Sequence, residues 1–332
     1  MPSTPLSLVT RPSAQDRATA AWSEVIISTD MDAHAHAQGD WQLRYEQLSE
    51  GAFHGRLHRV TLPGLTLLRE DTRPALRQRG HLSPEAYGFA MPLADRTDLF
   101  FNGQRVPEHA VMCGRGDDID MTTPVDFSLI AIVADRSLLE PLWERMYHKP
   151  LASWLERQMV LRTTAVKAGA LRDLHLTALD QAGALALRQP EAQTLRQLRD
   201  EILIEWIEAL PAQVDTSGLD TLQRRKRMVD QACELMLSRS DEPLSILEVC
   251  SQVGISRRKL NYCFHDVLGT TPVKYLRAVR LNGVRRDLKR AAPSETVQDI
   301  ATRWGFWHLS QFAQDYRRLF GELPSATLRG RA

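Results

Sequence analysis

The chain has 332 residues, 43% of them apolar and 25% charged, with a formal net charge of +1. That length suits two domains of about 100 to 200 residues each. The composition excludes a disordered protein and one that needs disulfide or metal staples to fold. The near-zero total hides an asymmetry, because residues 220–332 hold 20 Lys and Arg against 12 Asp and Glu, whereas residues 1–219 hold 22 against 29. A basic C-terminal third on an acidic remainder points to a polyanion partner for that third alone, a solvated basic face being the plain alternative.

Residues 1–20, with Pro2, Ser3, Pro5 and Pro12, show no periodicity and read as a disordered tail. No stretch reaches 18 consecutive apolar residues and the start does not resemble a signal peptide, so a cytoplasmic chain with no membrane partner is expected. Residues 21–163 read as a separate N-terminal domain. Within it, β-prone runs at Leu57 to Leu62, Leu65 to Arg69, Tyr87 to Met91, Val106 to Met112 and Phe127 to Val133 alternate with turn formers, predicting an antiparallel sheet or small barrel. His34 and His36, followed by Asp40, could begin a metal cluster, but no Glu and His complete it at matching spacing, and surface histidines are the favoured reading. Arg115 to Asp118 reads as a polar turn, with Asp117, Asp118 or Asp120 meeting an amine as the alternative. His54, Glu70, Arg77 and Tyr87 of this sheet are candidate effector-pocket residues, with a packing role as the alternative for each. Cys113, Cys233, Cys250 and Cys263 are spaced neither as pairs nor as zinc ligands and are expected to be buried reduced thiols.

Helical periodicity begins at Ser137 to His148 and dominates Thr164 to Leu187 and Glu191 to Ala209, two stretches separated by Gln189 and Pro190. They predict a helical hairpin over residues 164–210. Leu171, Leu174, Ala178 and Leu185, with Leu195, Leu198 and Ile202 opposite, form an a/d-like seam that suits either a homodimer or the core of one chain. Residues 211–221 lack an apolar period and read as the interdomain linker. Residues 222–332 read as helix throughout.

This last region contains an internal repeat: Ser245 to Gly254 aligns with Thr296 to Gly305. Each copy opens on a hydroxyl N-cap, Ser245 or Thr296, with Glu248 or Asp299 three residues on, the spacing of a capping box. Each ends at a glycine that accepts a left-handed turn, and a second helix follows at once. In the first copy Ser256 caps a helix with Leu260, Phe264 and Leu268 on one face and Arg257, Arg258, Lys259, Asn261 and His265 away from it. In the second, Phe312, Tyr316 and Phe320 form the apolar stripe and leave His308, Leu309, Ser310, Gln314, Arg317 and Arg318 on other faces. Two helices joined by a tight glycine turn, the second amphipathic and basic, constitute a helix-turn-helix, and here there are two in register. Val273, Leu276, Leu281, Val284 and Leu288 predict one long helix over Pro272 to Lys289 joining them. If the two units read successive major grooves, their recognition helices lie ~34 Å apart.

Ser256, Leu260, Phe264, Gly269 and Pro272, then Arg280 and Leu281, then Ile300, Ala301, Gly305, Phe306, Phe312, Tyr316, Phe320, Gly321 and Pro324 together resemble the AraC/XylS family over Leu222 to Leu328. The resemblance implies an α+β chain: an N-terminal cupin-like antiparallel β domain with a helical hairpin, then an all-α domain of two helix-turn-helix units joined by a long helix. For residues 21–163 it implies sensing and effector binding. It places Arg258, Asn261 and Tyr262 of the first recognition helix, and Leu309, Ser310 and Gln314 of the second, toward bases. Arg257, Lys259, His265, Arg317 and Arg318 then fall toward phosphates. Arg and Asn suit bidentate contact with guanine and adenine, whereas Leu309 offers a thymine methyl an apolar contact only. Through Trp304 to Leu309 with Gln311 and Phe312, Phe53 to Gly55, and Ala75 to Gln78, the resemblance narrows to members that activate ethanolamine-utilisation operons. It thus implies ethanolamine and adenosylcobalamin as effectors, with double-stranded DNA and RNA polymerase as partners.

No Gly-rich phosphate loop, Gly-x-Ser-x-Gly elbow or partnered carboxylate pair occurs, so no catalytic residue, metal ligand or required cofactor is expected. The expected function is that of a small-molecule-responsive, sequence-specific transcriptional activator. The alternatives are a cupin-type metal enzyme fused to a DNA-binding domain, with His34, His36 and His54 as ligands, and a ligand-independent DNA binder.

Overall fold

The computed structural model describes residues 21–39, 41–95, 98–115, 119–155, 159–186, 192–210, 219–238 and 244–330. The expected tail at residues 1–20, Asp40, Asp117, Asp118, Gln189, Pro190 and most of the expected linker lie outside the described residues.

The N-terminal domain is built on two antiparallel sheets that face each other rather than on a closed barrel. The larger contains β1 (Trp22–Ser28), β3 (Gly55–Leu62), β4 (Leu65–Thr72), β11 (Phe127–Asp135), β6 (Ala86–Pro92), β9 (Ala110–Gly114) and β12 (Val160–Arg162), in that spatial order. The smaller contains β2 (Gln42–Gln47), β5 (Leu76–His81), β10 (Ile119–Thr123), β7 (Phe100–Phe101) and β8 (Gln104–Arg105). The five expected β-prone runs coincide with β3, β4, β6, β9 and β11, except that Val106 to His109 precede their strand. Helix α1 (Met31–Ala37), capped by Asp30, closes one end.

Helices α2 (Arg136–Tyr147), α3 (Leu151–Leu155), α4 (Ala165–Ala186) and α5 (Ala192–Ala209) follow the large sheet. Their apolar faces join Leu65, Leu67, Phe89 and Ile132 in one core. Leu171, Ala178, Leu195 and Ile202 of the expected seam are buried within this single chain. His175 of α4 is buried with Nε2 3.0 Å from the Leu68 carbonyl, and its ring stands edge-on to Trp206.

The helical domain starts with α6 (Leu219–Ser238), three residues before the expected boundary. The first unit comprises α7 (Ile246–Val253) and α8 (Arg257–Leu268); α9 (Pro272–Arg290) connects it to α10 (Val297–Arg303) and α11 (Leu309–Phe320), and α12 (Pro324–Arg329) ends the fold. Both capping boxes form as the spacing predicts, and Gly254, Gly269, Gly305 and Gly321 all take positive φ. Helix α9 belongs to two cores. Its Tyr275, Leu276 and Val279 pack with Val229, Val249, Leu260 and Phe264, while Leu281, Val284 and Leu288 pack with Ile300, Phe312 and Tyr316. Each such buried side chain contributes roughly 1.5–3 kcal/mol, which fixes both units to one rod. Val273 is a correction to the predicted stripe, being 50% exposed. Gly283 has a packing reason inside this helix: a Cβ there would lie 2.3 Å from the Trp304 ring. Among the described residues no helix is long and apolar enough to cross a membrane, and all four cysteines are buried and unpaired.

Candidate nucleic-acid interface and ligand cavity

The glycine turns and buried apolar stripes, with a Ser256 cap on α8, hold both second helices with their polar faces outward. On α8, Arg257, Arg258, Lys259, Asn261, Tyr262 and His265 are exposed, while Leu260, Phe264 and Val267 hold the helix down. Ser256 Oγ accepts the Lys259 backbone N–H and so caps the helix start. Arg257 and Arg258 have no ion-pair partner among the described residues. The Tyr262 ring lies 5.0 Å from the Arg225 guanidinium and 5.7 Å from Lys259 Nζ, so it keeps two cations beside the reading face.

On α11, Leu309, Ser310, Gln314, Arg317 and Arg318 are exposed above buried Phe312, Tyr316 and Phe320. The N-cap His308 makes no side-chain cap bond. Trp307, in the turn just before it, is 71% exposed and Leu309 is 36% exposed. The second reading face thus leads with two apolar side chains. Trp307 was not among the sequence-derived candidates; an aromatic lying off the predicted stripe was the available signal. Arg318 is partly diverted, with Nε 3.5 Å from Glu50 of the N-terminal domain.

Not all of the basic charge faces outward. Arg285, Arg286 and Lys289 on α9 turn to the N-terminal domain. Arg286 contacts Asp32 at 3.1 Å and Glu46 at 3.0 Å and donates to the Tyr45 carbonyl at 2.6 Å. Lys289 pairs with Asp30 and Asp32, and Arg285 with Asp30. Asn282, fully buried, accepts the Gln47 backbone N–H at 3.1 Å and donates to its carbonyl at 2.9 Å, matching both polar groups of one strand residue. A second contact centres on Arg77, which holds Asp120 by two 2.8 Å bonds and donates to Tyr275 Oη at 2.6 Å and Cys233 Sγ at 3.2 Å. Burial would raise the Asp120 pKa, but Arg77 and then Lys226 outweigh it and hold the carboxyl down at about 2.

Between the two sheets lies a cavity of about 80 Å³. Leu68, Phe101, Met112 and Leu129 give it apolar walls, and Gln38, Tyr45, Glu70 and Gln78 form its polar corner. Glu70 is buried and accepts from Tyr45 Oη at 2.7 Å, His34 Nε2 at 3.1 Å, Gln38 Nε2 at 3.1 Å and Gln78 Nε2 at 3.2 Å. Burial favours its neutral form, yet His34, Tyr45 and Gln78 prevail and keep its pKa below the usual glutamate value.

Of the four candidate effector residues the structure brings only Glu70 to this cavity. His54 is exposed on an open groove with Arg56, Asp71 and Arg73. Arg77 faces the helical domain, and Tyr87 lies on the opposite face of the large sheet, donating to Glu140 at 2.7 Å. The reason is the two-residue alternation of strands: Tyr45, Gln78 and Met121 point into the cavity, and their neighbours Glu46, Arg77 and Asp120 point to the helical domain. His34 and His36 do not converge, the first bonding Glu70 and the second the Asp32 carbonyl, and His34 corrects the surface reading, being fully buried. Among the described residues no group of three His, Cys, Asp or Glu is placed to hold a metal ion.

Residues 249–330 match a family model described as a helix-turn-helix domain. The chain is 42% identical over 103 residues to a probable thc operon regulatory protein of Rhodococcus erythropolis, the match covering 31% of either chain. It is 33% identical over 128 residues to XylDLEGF operon transcriptional activator 2 of Pseudomonas putida, covering 38% of this chain and 80% of that one. Among solved structures, an AraC-type transcriptional regulator from Chromobacterium violaceum is 34% identical, covering 32% of this chain and 94% of that one at a TM-score of 0.30. The match spans less than a third of the length of the Rhodococcus regulator.

Proposed function

The chain belongs to the AraC/XylS family of helix-turn-helix regulators, and on that premise we propose that it reads a specific double-stranded DNA site with α8 and α11 while a small effector in the N-terminal domain sets that binding. Arg258, Asn261, Tyr262, Leu309, Ser310 and Gln314 contact bases in this reading, and Arg257, Lys259, His265, Arg317 and Arg318 contact phosphates. One observation carries the coupling: α1 and β2 each serve the cavity and the helical domain at once. His34 and Tyr45 bond Glu70 inside, while Asp32 and Glu46 grip Arg286 outside. A ligand that moves the inner residues therefore moves the grip on α9, which spans both reading units. Such coupling requires different ligand affinities for the two arrangements.

Ethanolamine, which the narrower resemblance implies, suits the size of a cavity of about 80 Å³. Adenosylcobalamin is many times larger and would need another site. Activation through RNA polymerase and pairing of two copies belong to the same reading, the first favoured by relatives named as operon activators.

The test is a footprint of the purified chain on its own upstream DNA at fixed physiological salt, since phosphate contacts make affinity salt-dependent. Protection confined to particular sequences, and changed by ethanolamine, is expected. Sequence-indifferent protection would instead make this a general DNA binder.

A further inference from the structure

The two helix-turn-helix units share the pattern of their turns but not the length. In the first, the Gly254 N–H donates to the Ser251 carbonyl at 3.3 Å and the Ile255 N–H to the Cys250 carbonyl at 3.0 Å, which closes α7, and the cap Ser256 follows at once. In the second, the Gly305 and Phe306 N–H groups bond the Thr302 and Ala301 carbonyls at 2.9 and 3.0 Å in the same way, but Trp307 stands between Phe306 and the N-cap residue His308. Trp307 is thus an extra residue, outside both helices. Its aromatic neighbours are held inward. Trp304 donates to Asp287 at 2.8 Å with its ring against Gly283, and the Phe306 ring lies 5.0 Å from that of Phe312. Trp307 has neither role and is 71% exposed.

Single exposed apolar side chains are common and need no explanation. Two at the leading end of a reading helix are a different matter: Leu309, the first residue of α11, is also exposed, whereas the same end of α8 carries Arg257 and Arg258. A recognition helix meets base edges in the major groove with its N-terminal residues, and the apolar group displayed there is the thymine methyl. We propose that Trp307 determines specificity in the second unit, its ring lying on the methyl groups of two adjacent thymines beside the base that Leu309 touches. The proposal rests on reading α11 as a DNA-reading helix and adds a residue and a base preference to it. Successive bases of one strand rise by ~3.4 Å, a step that the two fused rings of an indole span. A cytosine in the same place would set its amino donor against the ring unpaired, so the contact selects thymine.

The experiment measures binding of the full chain, wild type and Trp307→Ala, to its footprinted site at fixed salt and to copies in which each thymine under α11 is replaced singly by uracil. For the wild type, uracil at two neighbouring positions is expected to weaken binding by roughly fourfold each, the value of one buried methyl group. Trp307→Ala is expected to weaken binding to the thymine site by about tenfold, to become indifferent to uracil at those two positions, and to keep the wild-type melting temperature. Trp307→Phe, with a smaller ring, is expected to keep part of the discrimination. The proposal is overturned if uracil weakens the alanine variant as much as the wild type, if that variant binds the thymine site as tightly as the wild type, or if the wild type ignores uracil throughout the segment. A segment without adjacent thymines overturns it equally. A footprint that stops short of α11 would remove the underlying reading too, so the two failures are distinct.

Discussion

The two domains keep their polar groups in opposite places. In the helical domain, apart from the contact face of α9 with its buried Asn282, most polar residues sit on the surface or at helix ends, where Ser245, Ser256 and Thr296 satisfy N–H groups a few residues away. In the β domain several are buried: Glu70, Arg77, Asp120 and His175 all lie within the protein, each bonded to a partner distant in sequence. Local satisfaction builds a rigid reader whose structure is indifferent to its surroundings. Buried, long-range satisfaction builds a domain sensitive to protons, to ligands and to the neighbour packed against it.

The largest expected effect comes from cutting the contact between them. Arg286→Glu sets like charges against Asp32 and Glu46 in a largely buried position, where breaking an ion pair costs about 3–5 kcal/mol. Faster hydrogen exchange in α9 and β2 and an expanded scattering profile, with helix content unchanged, are expected; an unaltered profile would mean the domains are held elsewhere.

Acid comes next and is expected to loosen the β domain alone. Burial lowers His175 to about 4, so the folded domain resists its protonation. The stability this residue contributes is complete above its ordinary pKa of about 6.5 and is lost as pH falls toward 4, a loss on the order of 3 kcal/mol. Thermal melts across that window are expected to show the β domain falling and the helical domain level. His175→Gln, which cannot titrate, is expected to flatten the first curve.

On the DNA side, Arg258→Ala is expected to weaken specific binding by about 1–3 kcal/mol and relax one base position, with little change in melting temperature. A loss equal across all sequences would assign Arg258 to a phosphate instead. The smallest effect concerns the second unit, which leads with Trp307 and Leu309. Replacing thymine by uracil in its half-site removes only a methyl group and is expected to weaken binding by up to about 0.8 kcal/mol, the value of one buried methylene. The same exchange under α8 is expected to change nothing.

The same contrast explains what could be read from the sequence. Caps, glycine turns and apolar stripes are local, so α7 to α11 follow from residues such as Ser256, Gly269 and Phe264 taken a few at a time. Strands β2, β5 and β10 were missed because the smaller sheet is covered on both faces. Tyr45, Glu46 and Gln47 are all buried, which erases the alternation that marks a half-exposed strand. The pocket residues depended on register, and a slip of one residue exchanges faces. Arg77 was therefore named where its neighbour Gln78 belongs, and Gln38 and Tyr45 went unseen. The basic C-terminal charge was read correctly in sign but only partly in purpose, because Arg285, Arg286 and Lys289 serve the neighbouring domain.

The decisive measurement is the affinity of the full chain for its footprinted site, against the same site with five base pairs, about half a helical turn, inserted between the segments under α8 and α11. Because α9 belongs to both cores, the units cannot separate to follow the insertion, and affinity is expected to fall at least a hundredfold, to that of one half-site. Equal affinity for the two DNAs would contradict a reader that engages both units at once.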